Sequence, residues 1–558
     1  MQISILKFKI NNSNQYLRTL LVIIVFSFLV NISILASPVY YSVNDYGAVG
    51  DGIALDTKAI QQAIDAANKN GGGTVFFPAG KFLSGTIFFR SNVSIYLDAG
   101  ATLLGSKNLD DYPKTICEYR SYTDNYTERS LIYAEKVENI SILGMGTVDG
   151  QGAAFNHFQT KENPGYKQRP YMFRFIECKN IKVRDITIIN SPMWVQHYLA
   201  CEDVLIDGIT VNSFVAWNND GIDIDSCDEV RISNCNINSG DDAIVLKATS
   251  NRPCKNVVVT NCIISSHCNA FKLGTESNGG FMNITFNNSV IHTTRLAGIA
   301  LEMVDGGNLE RISINNLSME NCGTAIFIRL GNRARPFLSK GPGGGNAAWT
   351  MDNKKDAILP GMGMLSDVMI SNIQATGIGQ VGCSVTGIPD YPVQNITLKN
   401  VRIEYIGGGT SDLIDRVIPE VEKNYPEYGM FGTLPSYGFY VRHANNIRFE
   451  NFELIYQDKD HRPAFKFEDV QNLDLVDVDG KAGLTTPAVI IMDGVKDAMI
   501  SGCRPTQKLN YFIEAKNSSN IAIINNDFTK ITSIIKIGEG MTEGNIFLSK
   551  FSNVSLIE

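Results

Sequence analysis

From about residue 139 the chain repeats itself. A polar residue, a short alternating apolar run, an Asn or Asp and a second apolar run recur. Examples are Asn180-Ile-Lys-Val-Arg-Asp-Ile-Thr-Ile, Asp203-Val-Leu-Ile-Asp-Gly-Ile-Thr-Val and Glu229-Val-Arg-Ile-Ser-Asn-Cys-Asn-Ile. Further copies begin at Asn256, Asn283, Arg311, Asp367, Asn395, Asn446, Asn472 and Asn520. The starts at 203, 229, 256 and 283 are 26, 27 and 27 residues apart. An internal period of this length marks a solenoid, whose units bury their apolar faces against one another. Alternation within each copy makes the elements strands with one face inward. Ile and Val dominate where a leucine-rich repeat would show Leu, and helical periodicity is missing. The expected fold is all-β: a right-handed parallel β-helix with Asn ladders between rungs and aliphatic stacks inside. Solenoids grow along one axis, so 558 residues predict a single domain over 37–558 rather than several.

The N-terminus reads as a targeting segment. Lys7, Lys9 and Arg18 precede a nearly apolar run from Leu20 to Leu35, with Ala36 as the cleavage position. A signal peptide over 1–36 implies an exported protein, periplasmic or secreted; a signal anchor is the alternative. Asp56 to Asn70 predicts a helix, with Ile60, Ile64 and Ala67 on one face and Gly71-Gly72-Gly73 as its stop. Placed within a cap region of 37–115, such a helix would cover the open end of the strand stack. Two stretches interrupt the repeat, 331–366 with Gly341–Gly345 and 405–440 with Gly407–Gly409. Both are read as loops walling a cleft, against the alternative of surface decoration.

A net charge of -8 argues against a nucleic-acid partner, whose affinity would rest on clustered Lys and Arg. It leaves room for an acidic polysaccharide in a locally basic cleft. The eleven cysteines are scattered, without a paired metal signature. Cys235, Cys262 and Cys322 fall at matching places in successive repeats, which fits stacked buried thiols rather than a disulfide framework. No spacing demands a metal or another cofactor. The protein is expected to act as a monomer, with no membrane partner once the signal is removed.

The chemistry is sought at Asn218-Asn219-Asp220 and Gly240-Asp241-Asp242. Asp220 and Asp241 are 21 residues apart. In a coil of slightly more than 20 residues, that spacing puts three carboxylates on adjacent rungs. Like charges raise each other's pKa, a cost usually reserved for a protonated acid facing an ionised base. Surface Asp in turns is the competing explanation, and the coiled architecture outweighs it. Asp223 and Asp225 alternate with Ile222 and Ile224, so they are expected to face outward as solvated acids or substrate contacts.

These two motifs, with Asn190-Ser-Pro-Met-Trp194, resemble glycoside hydrolase family 28, the polygalacturonases and their relatives. The resemblance runs from about Tyr41 to about residue 330. It implies hydrolysis of plant cell-wall pectic glycan with inversion, with Asp241 as general acid and Asp220 and Asp242 activating water. Inversion needs acid and base roughly 6.5–9.5 Å apart, more than the ~4.8 Å between rungs. The family's Gly-His-Gly falls on His267-Cys268-Asn269. His267 is taken as the residue that orients an Asp, although the family position lies nearer Cys268 or Asn269. The family's Arg-Ile-Lys clamp for galacturonate is replaced by Gly298-Ile299-Ala300-Leu301-Glu302. Arg-carboxylate recognition is bidentate and not reproduced by Ala, so a rhamnogalacturonan or substituted galacturonan fits better than plain polygalacturonate, with exo action suggested by the loops. Asn218, Lys272, Glu302, Arg295, Arg329, Arg333 and a stacking Trp194 are the expected substrate contacts. The rivals are a β-helix polysaccharide lyase and a non-catalytic carbohydrate-binding β-helix.

Overall fold

The computed structural model describes residues 40–119, 121, 126–156, 168–336, 358–486, 488–549 and 555–557. The expected signal segment 1–36 and the Gly341–Gly345 run lie outside these residues. Every ladder between the described strands is parallel, and each coil pairs with the coils before and after it. Asp223, for example, is in register with His197 one turn back and Val245 one turn forward. The fold is a right-handed parallel β-helix.

The repeat starts identified in sequence are the places where the backbone turns. Asn180, Asp203, Asn256, Asn283, Asn395, Asn446 and Asn520 all have φ between 52° and 57°. Asn and Asp tolerate this left-handed geometry at least cost among side-chain-bearing residues. Their amides then bond from rung to rung: Asn180 Nδ2 donates to Asn139 Oδ1 at 2.8 Å, and Asn283 Nδ2 to Asn256 Oδ1 at 2.9 Å. One residue type thus supplies both the bend and the ladder.

Between the bends, one apolar residue stacks on the next. The column Ile181, Val204, Val230, Val257, Ile284 and Ile312 runs in register through successive coils, all of it buried. Each such side chain contributes roughly 1.5–3 kcal/mol by leaving water. All eleven cysteines are free thiols, and ten are buried. Cys235 and Cys262 stack on adjacent rungs as expected, whereas Cys322 falls in another column, in register with Thr294. Elsewhere the Cys201 amide donates to Cys227 Sγ at 3.3 Å.

One helix, α1 (Thr57–Lys69), closes the N-terminal end. It buries Ala59, Ile60, Ala63, Ile64 and Ala67, covering strand edges that would otherwise invite pairing with another chain. No helix among the described residues is long and apolar enough to cross a membrane.

Candidate active site

Three consecutive rungs of one sheet build the site: β1 (Ile222–Asp225), β2 (Ile244–Ala248) and β3 (Phe271–Ser277). The turns leading into them stack directly. The Gly221 amide donates to the Asp242 carbonyl at 2.9 Å, and the Ala243 amide to the Asn269 carbonyl at 2.9 Å. Asp220, Asp242 and Asn269 therefore lie one above another. A Cβ on Gly221 would sit 2.5 Å from the Ala243 carbonyl oxygen, so only glycine lets the rungs close here. Ser239 and Ser266 hydroxyls donate to the Asp241 carbonyl at 2.6 and 2.7 Å and fix the turn that presents its side chain.

Two buried lysines organise the acids. Lys247 Nζ lies 3.8 Å from Asp220, 3.6 Å from Asp223 and 3.4 Å from Glu276. It also sits 4.7 Å over the Trp194 ring. Lys272 Nζ lies 3.2 Å from Asp242, 3.4 Å from Glu302 and 4.0 Å from Glu427. Tyr425, from the long stretch after Tyr405, completes that cage with its hydroxyl 3.4 Å from Lys272 Nζ.

Neutralisation is incomplete. Asp220 Oδ1, both Asp223 oxygens, Glu302 Oε1 and Glu427 Oε2 are buried without a hydrogen-bond partner among the described residues. Burial and the neighbouring Asp223 push Asp220 well above the usual carboxylate range. Asp241 is raised by burial and by Asp242. Asp242 goes the other way: burial would raise it, but Lys272, Lys247 and two donors from Asn269 outweigh burial. Burial lifts Glu302 to about 8 against the pull of Lys272, and lifts Glu427 to about 7. Burial would raise Glu276 too, yet Lys247, Arg333 and Arg335 hold it near about 2. The site therefore contains a raised acid beside a depressed one, the electrostatic condition for general acid–base work.

Several expected residues sit elsewhere than anticipated. His267 is exposed on the outer rim. Asn269 occupies the place beside the acids: its amide and side-chain Nδ2 donate to Asp242 Oδ1 at 3.0 and 2.8 Å. The bonds between rungs are the reason. In the turn between Ile263–Ser266 and Phe271–Ser277, the His267 amide donates to the Ser239 carbonyl and the Asn269 carbonyl accepts from the Ala243 amide, both at 2.9 Å. Asn269 and not His267 therefore stacks on Asp242. Trp194 is buried against Tyr126, Tyr171 and His197, so it seats Lys247 rather than a sugar. Arg329 is buried too, donating to the carbonyls of Gly387 and Glu420 at 2.8 and 2.7 Å. Arg333 pairs with Asp305 and lies over the Tyr425 ring. Arg295 is exposed, its Nε donating to the His267 carbonyl at 2.7 Å. Asn218 Oδ1 accepts from Arg169 at 3.0 Å. Asp223 and Asp225 are fully buried rather than solvated; Asp225 is held by Thr249 and faces His197 at 3.3 Å.

Lys272 and Glu302 do lie beside the carboxylates, as a pair. Lys247, Glu276, Tyr425 and Glu427 were not singled out in sequence. Lys247 carried one usable signal, an outward position on the strand after the Asp pair. Ala300, in the stretch that replaces the clamp, packs with Ala297, Phe327 and Tyr440 under Ile418, Phe431 and Leu434. The stretch after Tyr405 thus lies across the sheet just beyond the rungs that carry the acids. Asp241, Asp242 and Cys268 offer atoms within 4.8 Å of one another that could meet a cation. Burial and the adjacent Asp241 push the Cys268 thiol up, keeping it protonated as a donor to Asp241.

Residues 72–331 match the sequence model described as Glycosyl hydrolases family 28. The "Probable polygalacturonase" of Vitis vinifera is 36% identical over 217 residues, 37% of this chain and 44% of that protein. The "Exo-poly-alpha-D-galacturonosidase" of Dickeya chrysanthemi is 29% identical over 261 residues, 38% of this chain and 42% of that protein. The chain spans less than half the length of these curated relatives. The Yersinia enterocolitica family 28 exopolygalacturonase is similar in fold, with a TM-score of 0.61 at 20% identity over 79% of each chain.

Proposed function

We propose, from the premise that this chain belongs to glycosyl hydrolase family 28 through residues 72–331, that it hydrolyses pectic glycan with inversion. The observation that carries the reading is the opposed pair: Asp241 held toward its protonated form and Asp242 toward its ionised form on one turn. Asp241 donates its proton to the glycosidic oxygen as the C–O bond breaks. Asp242 takes a proton from the water that attacks the anomeric carbon from the opposite face. Carboxylate atoms of the pair lie within 4.8 Å of each other, short of the roughly 6.5–9.5 Å usual for inversion, so the configuration of the first product is the deciding measurement. Asp220, raised far above its neighbour, keeps a proton and orients that water through a hydrogen bond instead of sharing the base role. Asn269 and Lys272 hold Asp242 ionised.

Two features support a substrate other than plain polygalacturonate, a rhamnogalacturonan or a substituted galacturonan. The clamp position is Gly298-Ile299-Ala300, and each pocket lysine is already held by three carboxylates. The layer formed by Ile418, Phe431 and Leu434 supports exo action, because it covers the sheet on one side of the acids. Export is supported by the charged and apolar leader within residues 1–36, and cell fractionation tests it. The activity test is reducing-end release across purified pectic fractions, with product anomers followed by NMR. Retained configuration in the first product removes the mechanism, and no release from any fraction removes the activity.

A further inference from the structure

The two pocket lysines are each engaged by three carboxylates, so a uronate-bearing chain has to find its cation elsewhere. A few residues away, the molecule offers a surface of the opposite character. Strands Thr210–Ser213, Asn236–Ser239 and Ile263–Ser266 form the sheet that leads into the catalytic turns. Their outer face holds a groove of about 760 Å³, within the range of roughly 300–1,000 Å³ usual for small-ligand sites. No Asp or Glu lines it, whereas His267, His292 and Arg295 do.

We infer that this groove is a second glycan site, which takes a uronate-bearing segment of pectic chain. Three observations carry the inference. The charge is complementary: uronate carboxylates meet a lining free of acids and holding a guanidinium fixed on the His267 carbonyl. Glu320 is in register with His292 one rung on and lies outside the lining. The chemistry is that of a sugar binder, with Phe214 48% exposed at the rim and Asn amides on the floor, Asn238 Nδ2 donating to Asn212 Oδ1 at 3.3 Å. An exposed aromatic face beside amide donors suits the apolar C–H face and hydroxyls of a pyranose. Finally, the groove is continuous with the pocket. Ser266 lines it while donating to the Asp241 carbonyl at 2.7 Å, and Arg295 spans the rim with Nη2 3.6 Å from Cys268 Sγ.

A chain lying there would keep its acidic residues on the outer sheet while its scissile linkage enters the pocket. Arg295 would then serve a carboxylate from outside the catalytic sheet, in place of a clamp within it. The inference rests on the pectic reading only for the choice of probe.

The test is equilibrium binding of a galacturonate hexamer to the full chain by calorimetry, in an Asp241→Asn background so that the probe is not consumed. A neutral β-1,4-galactan hexamer is the control. Arg295→Gln is expected to weaken hexagalacturonate binding at least tenfold and to flatten its salt dependence, since an exposed ion pair is screened by salt. Phe214→Ala, a change at an exposed rim, is expected to weaken it as well while leaving the melting temperature in place. Absence of hexagalacturonate binding by the parent overturns the inference, as does binding unchanged in both variants. Equal binding of the neutral hexamer overturns the charge argument. Binding lost in the variants while no pectic fraction is hydrolysed keeps the groove and removes the enzyme. Hydrolysis without groove-dependent binding does the reverse.

Discussion

One ladder of outward-facing residues runs from Asp223 through Val245, Lys272, Ala300, Phe327 and Ser384 to Tyr440 and Lys466 without losing register. Its two ends treat charge in opposite ways. At the C-terminal end Glu468 receives Lys466 at 3.1 Å and the Tyr440 hydroxyl at 2.5 Å. Asp493 pairs with Lys516 at 3.2 Å, and His443 bridges Asp469 and Glu420 at 2.6 and 3.2 Å. These carboxylate side chains are 22–75% exposed, so water serves the oxygens that protein donors do not. Around Asp223, at the other end, five carboxylate oxygens are buried without a hydrogen-bond partner among the described residues. A buried polar group left unmade costs about 1–3 kcal/mol. The difference is one of burial: the acids at the C-terminal end reach water, whereas Asp220, Asp223 and Glu302 are enclosed with part of their hydrogen-bonding capacity unmet.

The sharpest way to break this contrast is to neutralise one acid at each end. Asp241→Asn is expected to lower kcat by about 10²- to 10⁴-fold, the usual span for loss of a general acid, with the melting temperature retained. Glu468→Gln is expected to leave turnover unchanged. Similar losses from both variants, measured on the same pectic fraction, would mean that the orphaned oxygens do not mark the reacting groups.

The lysines give a second pairing. Lys272 is 2% exposed and is caged by Asp242, Glu302 and Glu427. Removing one partner of a buried ion pair costs roughly 3–5 kcal/mol because the remaining charge is uncompensated. Lys272→Met is expected to lower stability by that order and to raise the pKa of Asp242, moving the acid limb of the kcat profile to higher pH. Lys466→Met leaves Glu468 its bond from Tyr440 and is expected to be milder in urea unfolding, with no displacement of the acid limb.

The contrast also explains what could be read from the letters alone. The coil was legible because a φ near 55° favours Asn and Asp at most bends, with Glu229 and Arg311 among the exceptions, and that preference repeats along the chain. The three Asp were legible because coil length converts a spacing of 21 residues into adjacency. Lys272 and Glu302 were noticed singly, but their pairing depends on register between rungs, which no local pattern reports. Glu427 and Tyr425 arrive from an irregular stretch many coils later, with no period to announce them. The exchange of His267 for Asn269 turned on which residue of the turn stacks on Asp242, which motif alignment left open and the bonds between rungs decide.

Linkage separates the ends in a third way. Glu302 has its folded pKa raised by burial from 4.5 to about 8, so folding favours its protonated form. That contribution is fully present below the unfolded value and is lost as pH rises toward about 8. The parent is expected to lose melting temperature between pH 5 and pH 8, and Glu302→Gln to lose less over the same interval. An identical slope in parent and variant would assign the pH dependence to another group.

The smallest effect belongs to Glu427, the loop acid that reaches the pocket from outside the coil. Burial lifts it to about 7, with Asp242 and Asp241 adding to the rise and Lys272 opposing it. Interactions between titrating groups are mutual, so Glu427, once ionised above about pH 7, stabilises the proton on Asp241. Glu427→Gln removes that charge while keeping the shape of the side chain. The Asp241 proton should then leave at lower pH, moving the alkaline limb of kcat/KM down by less than about one unit, about 1.4 kcal/mol of interaction. The acid limb, set by Asp242 with its Lys272 and Asn269 donors, should move in the same direction but less. A limb that moves upward, or a loss of kcat at every pH with the limbs in place, would show that Glu427 contacts substrate or wall without acting through the Asp241 proton.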